Sequence, residues 1–342
     1  MYKISSKWLV LAFVLLLNLS QVFAQVAGDY RTRSGIGSST NYSQATTWEE
    51  YDGSSWQNAT SGPANPFTND MSIGKSITLN TDAEISKLTI TSTGLLNVDN
   101  NKQLTFSGTS TNNGILTIEG VIDLGTYVMS GTGDFIMSGG SEIFIAHVNG
   151  ITASSADGNI QVTGTRTFAG DATYHYNAPT GSQHTGNGLP TITSGGQVIN
   201  DIKTAWADLP TLTMRRLILS QNVTVNTGGY FRFETDGQFQ YPLDFNGYLV
   251  TGAGSFETGT QATLFIDNSN GITASAASGN VQVSGSRIYD GASNYVYSSS
   301  VAQVTGNGLP TPLTGLFMKF GSGTLSISQN TTTADIYLYA GT

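Results

Sequence analysis

The chain has no cysteine among its 342 residues, so no disulfide can hold it together. Charge is also sparse: 14 Lys and Arg face 23 Asp and Glu, for a net charge of −9. No Lys/Arg cluster exists to displace counterions from phosphates, which argues against nucleic acid as a partner. Only three histidines are present. Their spacing, with His175 and His184 nine apart and no cysteine nearby, does not make a zinc-type ligand set. Helical periodicity is scarce beyond the first residues, and after them no run is apolar enough to cross a bilayer.

Glycine (41 residues), Thr, Ser and Asn are abundant, with 15 Tyr and 15 Phe. Disordered chains trade apolar residues for charge and proline, and this one does not. The mixture suits many short strands joined by tight turns. The N-terminus reads as a secretory leader over residues 1–24. Lys3 and Lys7 precede an apolar run from Trp8 to Leu19, and Val22-Phe23-Ala24 gives a small-residue exit. An exported, extracellular or cell-surface protein is expected, with no membrane span once the leader is removed.

A long internal repeat dominates the rest. Gly131-Thr-Gly-Asp-Phe135 recurs as Gly252-Ala-Gly-Ser-Phe256, and Asn149-Gly-Ile-Thr-Ala-Ser154 as Asn270-Gly-Ile-Thr-Ala-Ser275. Gly158-Asn-Ile-Gln-Val162 recurs as Gly279-Asn-Val-Gln-Val283, all at an offset of 121 residues. The offset falls to 120 at Thr185-Gly-Asn-Gly-Leu-Pro190 and Thr305-Gly-Asn-Gly-Leu-Pro310. A further partial copy begins where Leu217-Ile-Leu-Ser-Gln-Asn222 is matched by Leu325-Ser-Ile-Ser-Gln-Asn330. The boundaries expected are a cap segment at 25–80, repeat units at 81–190 and 191–310, and the start of a truncated third unit at 311–342. A longer parent protein is therefore expected.

Within each unit, runs such as Leu88-Thr-Ile-Thr, Leu104-Thr-Phe-Ser and Ile115-Leu-Thr-Ile alternate apolar with polar between Gly-containing turns. Two all-β architectures fit. The first is a parallel β-helix, a solenoid whose 120-residue unit would hold about five or six coils of about 20 residues. The second is a string of β-sandwich domains. Uniform rungs, absent helices and recurring corner Asn favour the solenoid.

The segment Gly28-Asp-Tyr-Arg31, Ala45-Thr-Thr-Trp48-Glu-Glu-Tyr51-Asp-Gly53, Ser55-Trp56 and Met71-Ser-Ile-Gly-Lys-Ser-Ile-Thr-Leu79 resembles large secreted surface proteins of Bacteroidetes-type bacteria exported by the type IX system. Gln303-Val-Thr-Gly-Asn-Gly-Leu-Pro310 is similar to their repeats. The resemblance implies a right-handed parallel β-helix and a cell-surface, adhesin-like role. Two features depart from it: no C-terminal sorting domain is read within residues 25–342, and Leu316-Phe-Met-Lys-Phe320 breaks the usual strand pattern.

Comparing the copies separates framework from free positions. Asn149/Asn270, Arg166/Arg287, Tyr174/Tyr295, Tyr176/Tyr297, Gln183/Gln303 and Asn187/Asn307 persist. Glu142, His147, Asp157, Asp171, His175 and His184 are replaced by Thr263, Asn268, Ser278, Ala292, Val296 and Val304. Chemically capable side chains drift, so no catalytic, metal or cofactor-binding residue is assigned. Glu49, Glu50 and Asp52, and Glu234 with Asp236, are the local acid clusters, and they read as solvated loops. Tyr174, Tyr176, Tyr295 and Tyr297 are the candidate glycan contacts, because residues two apart share a strand face. Filling the core is their competing role. Trp48 and Trp56 are expected to anchor the cap over the first rung. The expected function is a non-enzymatic stalk or adhesive surface meeting glycans or other surface proteins. The alternative is a carbohydrate-binding or polysaccharide-degrading β-helix.

Overall fold

The computed structural model describes residues 25–36, 40–203, 214–233, 240–260 and 262–339. The leader expected at 1–24 lies outside them. The fold is all-β: one 3-10 turn at Ala45–Thr47 is the only helical element among the described residues. A sixteen-stranded sheet is accompanied by sheets of six, seven, three and two strands. Among the described strands, pairing is parallel throughout except at Tyr30–Thr32, Trp48–Tyr51 and Trp56–Asn58, which form an antiparallel group. Long stacks of parallel strands are compatible with a β-helix. They do not suit a sandwich, whose sheets are antiparallel.

Alternation explains the burial. In Leu95–Val98, Gln103–Phe106, Ile115–Ile118 and Asp134–Met137 every second residue is buried, as a period-two strand with one covered face requires. Register then aligns the buried residues into columns. Leu104, Ile122, Ile143, Tyr174, Val198, Phe231 and Phe256 each lie opposite the next in the largest sheet, and all are fully buried. Burying each such side chain stabilises the fold by about 1.5–3 kcal/mol. The main core is one cluster running from Tyr30 to Phe317.

The two copies contribute to the same sheets, so the ladder does not stop between them. Thr173–Tyr176 of the first copy pairs with Gln197–Asn200, which pairs with Tyr230–Phe233, which pairs with Ser255–Glu257 of the second. Yet equivalent strands do not occupy equivalent sheets. Asp134–Met137 and Arg166–Thr167 lie in the six-stranded sheet, whereas their counterparts Ser255–Glu257 and Arg287–Ile288 lie in the sixteen-stranded one. Glu142–Ile145 and Thr173–Tyr176 lie in the sixteen-stranded sheet, and Ala262–Ile266 and Asn294–Tyr297 in the seven-stranded one. Gln183–His184 belongs to the seven-stranded sheet, and Gln303–Val304 to the two-stranded one.

The second copy is thus displaced by one sheet. After Ile143 the chain returns to the largest sheet at Tyr174, Val198, Phe231 and Phe256, and one more strand brings it to Leu264, the counterpart of Ile143. The repeat holds four returns and one extra strand. The expected five or six coils of about 20 residues are too many, because excursions such as 146–159 lengthen each return.

At the N-terminal end Trp48 is fully buried and donates its indole N–H to the Tyr42 carbonyl at 2.7 Å. Its ring packs edge-on against Tyr30 and Tyr42 at centroid distances of 6.2 and 5.5 Å. Trp56 is half-buried on the outer strand of the antiparallel group, beneath the Arg31 guanidinium at 4.3 Å. The irregular segment around Leu316 continues the stack: Leu313–Lys319 pairs on both sides, with a register shift between Leu313 and Leu316.

Candidate functional site

Three of the residue pairs that persist between copies, at Arg166, Gln183 and Asn187 and their counterparts, hold one recurring feature, the excursions 147–159 and 268–280. Gln183 Nε2 donates to the carbonyls of Ile145 and His147 at 2.7 and 3.0 Å, and Gln303 to those of Ile266 and Asn268 at 2.9 Å each. Asn187 Oδ1 accepts from the Ala153 N–H, and Asn307 Oδ1 from the Ala274 N–H, both at 2.8 Å. Arg166 Nη1 donates to the Thr152 and Ser154 carbonyls at 2.9 Å each, and Nη2 to that of Ala153. Arg287 repeats the pattern on Thr273 and Ala274. Each of these side chains satisfies backbone groups that a strand ladder leaves open in a loop.

The four tyrosines are core residues, which corrects the glycan-contact expectation. Tyr174, Tyr176, Tyr295 and Tyr297 are fully buried. Their hydroxyls donate to the carbonyls of Ala169, Thr185, Asp290 and Thr305 at 2.7–2.9 Å. Burial raises the pKa of each above the ordinary tyrosine value. Spacing two apart did place them on one face. That face is the inner one, since Tyr174 stands in register between Ile143 and Val198.

The acidic loops are engaged locally. Glu49 pairs with Arg31 at 2.7 Å, and Glu50 accepts from the Tyr30 hydroxyl at 3.2 Å. Asp52 Oδ1 accepts three hydrogen bonds of 2.8 Å from the Ser54 N–H and hydroxyl and the Ser55 N–H, which lowers its pKa to about 2. Glu234 and Asp236 lie outside the described residues. His184 contacts Ser220 at 3.1 Å, and His147 lies 3.8 Å from Asp157.

Sequence comparison of the copies read His175 as a free position. The structure instead makes it the centre of a polar cleft. Its ring stacks on Phe144, one strand back, at a centroid distance of 4.2 Å and an interplanar angle of 11°. Nδ1 lies 2.8 Å from Asp201 Oδ2, and Nε2 lies 3.7 Å from Glu142 Oε2. The His175 and Asp201 side chains are each only 12% exposed, so their contact is made largely out of water. Around them a cleft of about 590 Å³ is lined also by Asn177, Ala178, Pro179, Lys203, Arg215 and Tyr241. Among the described residues, Asp201 Oδ1 and Asn177 Oδ1 are buried with no hydrogen-bond partner. Each such orphaned acceptor costs about 1–3 kcal/mol.

The second copy shows what this position becomes without polar groups. Asp201 N–H donates to the Tyr176 carbonyl and Phe320 N–H to the Tyr297 carbonyl, both at 2.9 Å, so Phe320 is the counterpart of Asp201. Val296 replaces His175, and Thr263 replaces Glu142. There the outward column is Phe265, Val296 and Met318, all essentially buried and packed with Met214 as a second apolar cluster. Arg216 covers Phe265 at 4.1 Å and pairs with Asp244 at 2.8 Å.

Sequence reasoning missed the cleft because its members are 33 and 26 residues apart (142 to 175, and 175 to 201) and meet only through register. A signal was present: replacements between the copies fall at Glu142 and His175 on adjacent strands and at Asp201, just past the end of the next. Among the described residues no grouping of His, Asp and Glu suits a metal ion. Glu142 and Asp201 lie at opposite nitrogens of the imidazole, too far round the ring to share one. Comparison with protein-family models, curated proteins and solved structures returns no match.

Proposed function

We propose that the chain is a secreted, cell-surface repeat protein whose strands wind as a right-handed parallel β-helix, serving as a rigid stalk and adhesive surface without catalysis. The observation that carries this is the shared ladder: strands of both copies sit in the same sheets over one core. Parallel strands joined within one sheet cross over with right-handed topology, which supports the hand chosen. A continuous core resists bending where a string of separate globules would hinge. Ten strands of the largest sheet, from Phe67–Ile73 to Arg287–Ile288, stack in succession, giving a rod segment of roughly 45 Å at about 4.8 Å per rung.

Export rests on the leader-like residues 1–24 and on the resemblance to type IX-exported surface proteins. No helix among the described residues is long and apolar enough to cross a membrane. Framework residues that hold loops, rather than reacting groups, are what the copies have in common. Weak contacts repeated along a long lateral surface supply adhesion by avidity.

The test is display and attachment. Antibody against residues 25–342 is expected to label intact producing cells, and the soluble fragment to compete with their attachment to a surface. Labelling only after lysis, or release of reducing sugar from polysaccharides by the fragment, contradicts the reading.

A further inference from the structure

We propose that the end of the stack formed by Thr333–Leu338 is an association surface for a second copy of this chain. The copies join by like ends, with these strands paired antiparallel about a two-fold axis. The proposal rests on the shared ladder and goes beyond the stalk reading, since it says what one end of the rod meets.

Exposed hydrophobic side chains gather at this end. Of the twelve large hydrophobic residues exposed among the described residues, six lie between 320 and 339: Phe320, Ile327, Ile336, Tyr337, Leu338 and Tyr339. Tyr337 stacks on Tyr339 at 6.3 Å, and Phe320 meets Tyr339 edge-on at 6.1 Å, so these rings form a patch and not scattered contacts. Thr333–Leu338 pairs on one side only, with Leu313–Lys319. Its other side presents a row of unpaired backbone groups, which is a template for another strand.

The first copy shows what such a surface takes. Leu217 and Leu219 are fully buried, and Leu217 lies opposite Leu243 in the next strand, Tyr241–Asp244. Their counterparts have no such strand over them: Leu325 is half-buried and Ile327 is 60% exposed. Phe231 stands on Val198 as Ile336 stands on Phe317, Val198 and Phe317 being the partners of Tyr174 and Tyr295. Phe231 is fully buried under Phe256, whereas Ile336 is 52% exposed. The missing cover is therefore a β-strand with apolar residues on its inward face.

Thr333–Leu338 of a second copy meets that description. The opposite end of the stack does not. Its edge strands, Trp56–Asn58 and Thr40–Asn41, are three and two residues long, and Gln57, Asn58 and Asn41 are exposed. Short polar edges resist pairing, which disfavours head-to-tail joining. Joining by like ends is isologous and closes at two copies. Directly opposed residues of an antiparallel pair face the same side of the sheet. A two-fold axis at Ile336 sets Ile336 against its own copy and Asp335 against Tyr337. Inward residues then continue the core, and the one charge on the strand does not meet its like.

The test is the oligomeric state of residues 25–342 by sedimentation and light scattering. A dimer is expected at about 10 μM chain, the range of a modest specific interface. Ile336→Lys combined with Leu338→Lys is expected to weaken association by about a hundredfold or more, with the β circular-dichroism spectrum retained. Gln57→Lys, at the opposite end, is expected to leave the dimer unchanged. Should the lysine pair disturb folding, Ile336→Cys is expected to oxidise to a linked dimer and Gln57→Cys to remain monomeric under the same conditions. A chain that stays monomeric at about 100 μM assigns the edge to some other strand and overturns the proposal. Growth beyond two copies, a dimer indifferent to the lysine pair, or one lost with Gln57→Lys overturns it too. X-ray scattering of the monomeric variant reports rod shape separately, so failure of the dimer and failure of the stalk are distinguished.

Discussion

At the residue scale, the repeat divides side chains by what they satisfy. Arg166 holds the carbonyls of Thr152, Ala153 and Ser154, and Arg287 those of Thr273 and Ala274, in a loop outside the strands. Arg166→Ala is expected to cost about 1–3 kcal/mol, the worth of hydrogen bonds to a charged donor, with faster exchange of the Ala153 amide. Urea unfolding together with hydrogen exchange checks this. An unchanged midpoint and amide would show that the guanidinium is incidental.

The buried tyrosines give a pH dependence of definite sign. Their folded pKa values are raised by burial, so the neutral form is favoured in the fold. The stability they contribute is present below the unfolded value of about 10 and is lost as pH rises beyond it. Ultraviolet titration is expected to show Tyr174, Tyr176, Tyr295 and Tyr297 ionising only as the chain unfolds. Asp52 has the opposite sign. Its turn is favoured above the ordinary carboxylate range and is expected to loosen as pH falls through about 2, which carboxyl NMR shifts would follow. Persistent framework residues were legible from sequence because each copy repeats them. The inward direction of the tyrosines was not, because alternation fixes which residues share a face but not which face is covered.

At the scale of elements, strand positions followed from apolar alternation, and the turns followed from glycine. Gly150 and Gly271 show why. Both have positive φ, 62° and 63°, and an added Cβ would collide with carbonyl oxygens of the neighbouring strand, at His184 and Thr185 or Val304 and Thr305. Gly150→Ala is expected to destabilise the loop 147–159 and admit a protease there before the rest of the chain. Equal resistance in the variant would count against a tight fit. What the sequence could not reveal is the chain length between successive strands of one sheet. Excursions inserted between strands set the spacing from Ile143 to Tyr174 to Val198, and that spacing alone brings Glu142, His175 and Asp201 together. Core truncation should be costly anywhere along the column: Phe231→Ala is expected to lose about 3–5 kcal/mol in urea unfolding.

At the scale of the whole molecule, the one-sheet displacement has a consequence for presentation. Equivalent loops, 147–159 and 268–280, leave the stack from different sheets, so a partner approaching one side meets features of one copy and not of both. The repeat itself was plain in the sequence. Its displacement was not, because it depends on how many returns to one sheet a 121-residue unit contains. The central claim is that both copies are consecutive stretches of one ladder, and the absence of cysteine allows a clean measurement. Cysteine pairs at Thr173 and Gln197, at Gln197 and Tyr230, and at Tyr230 and Ser255 occupy successive partners in the largest sheet. Oxidation or a short bis-thiol linker should join all three pairs as readily as a control pair at Glu142 and Thr173 within the first copy. Joining of the control pair while any of the other three stays apart would contradict the continuous ladder.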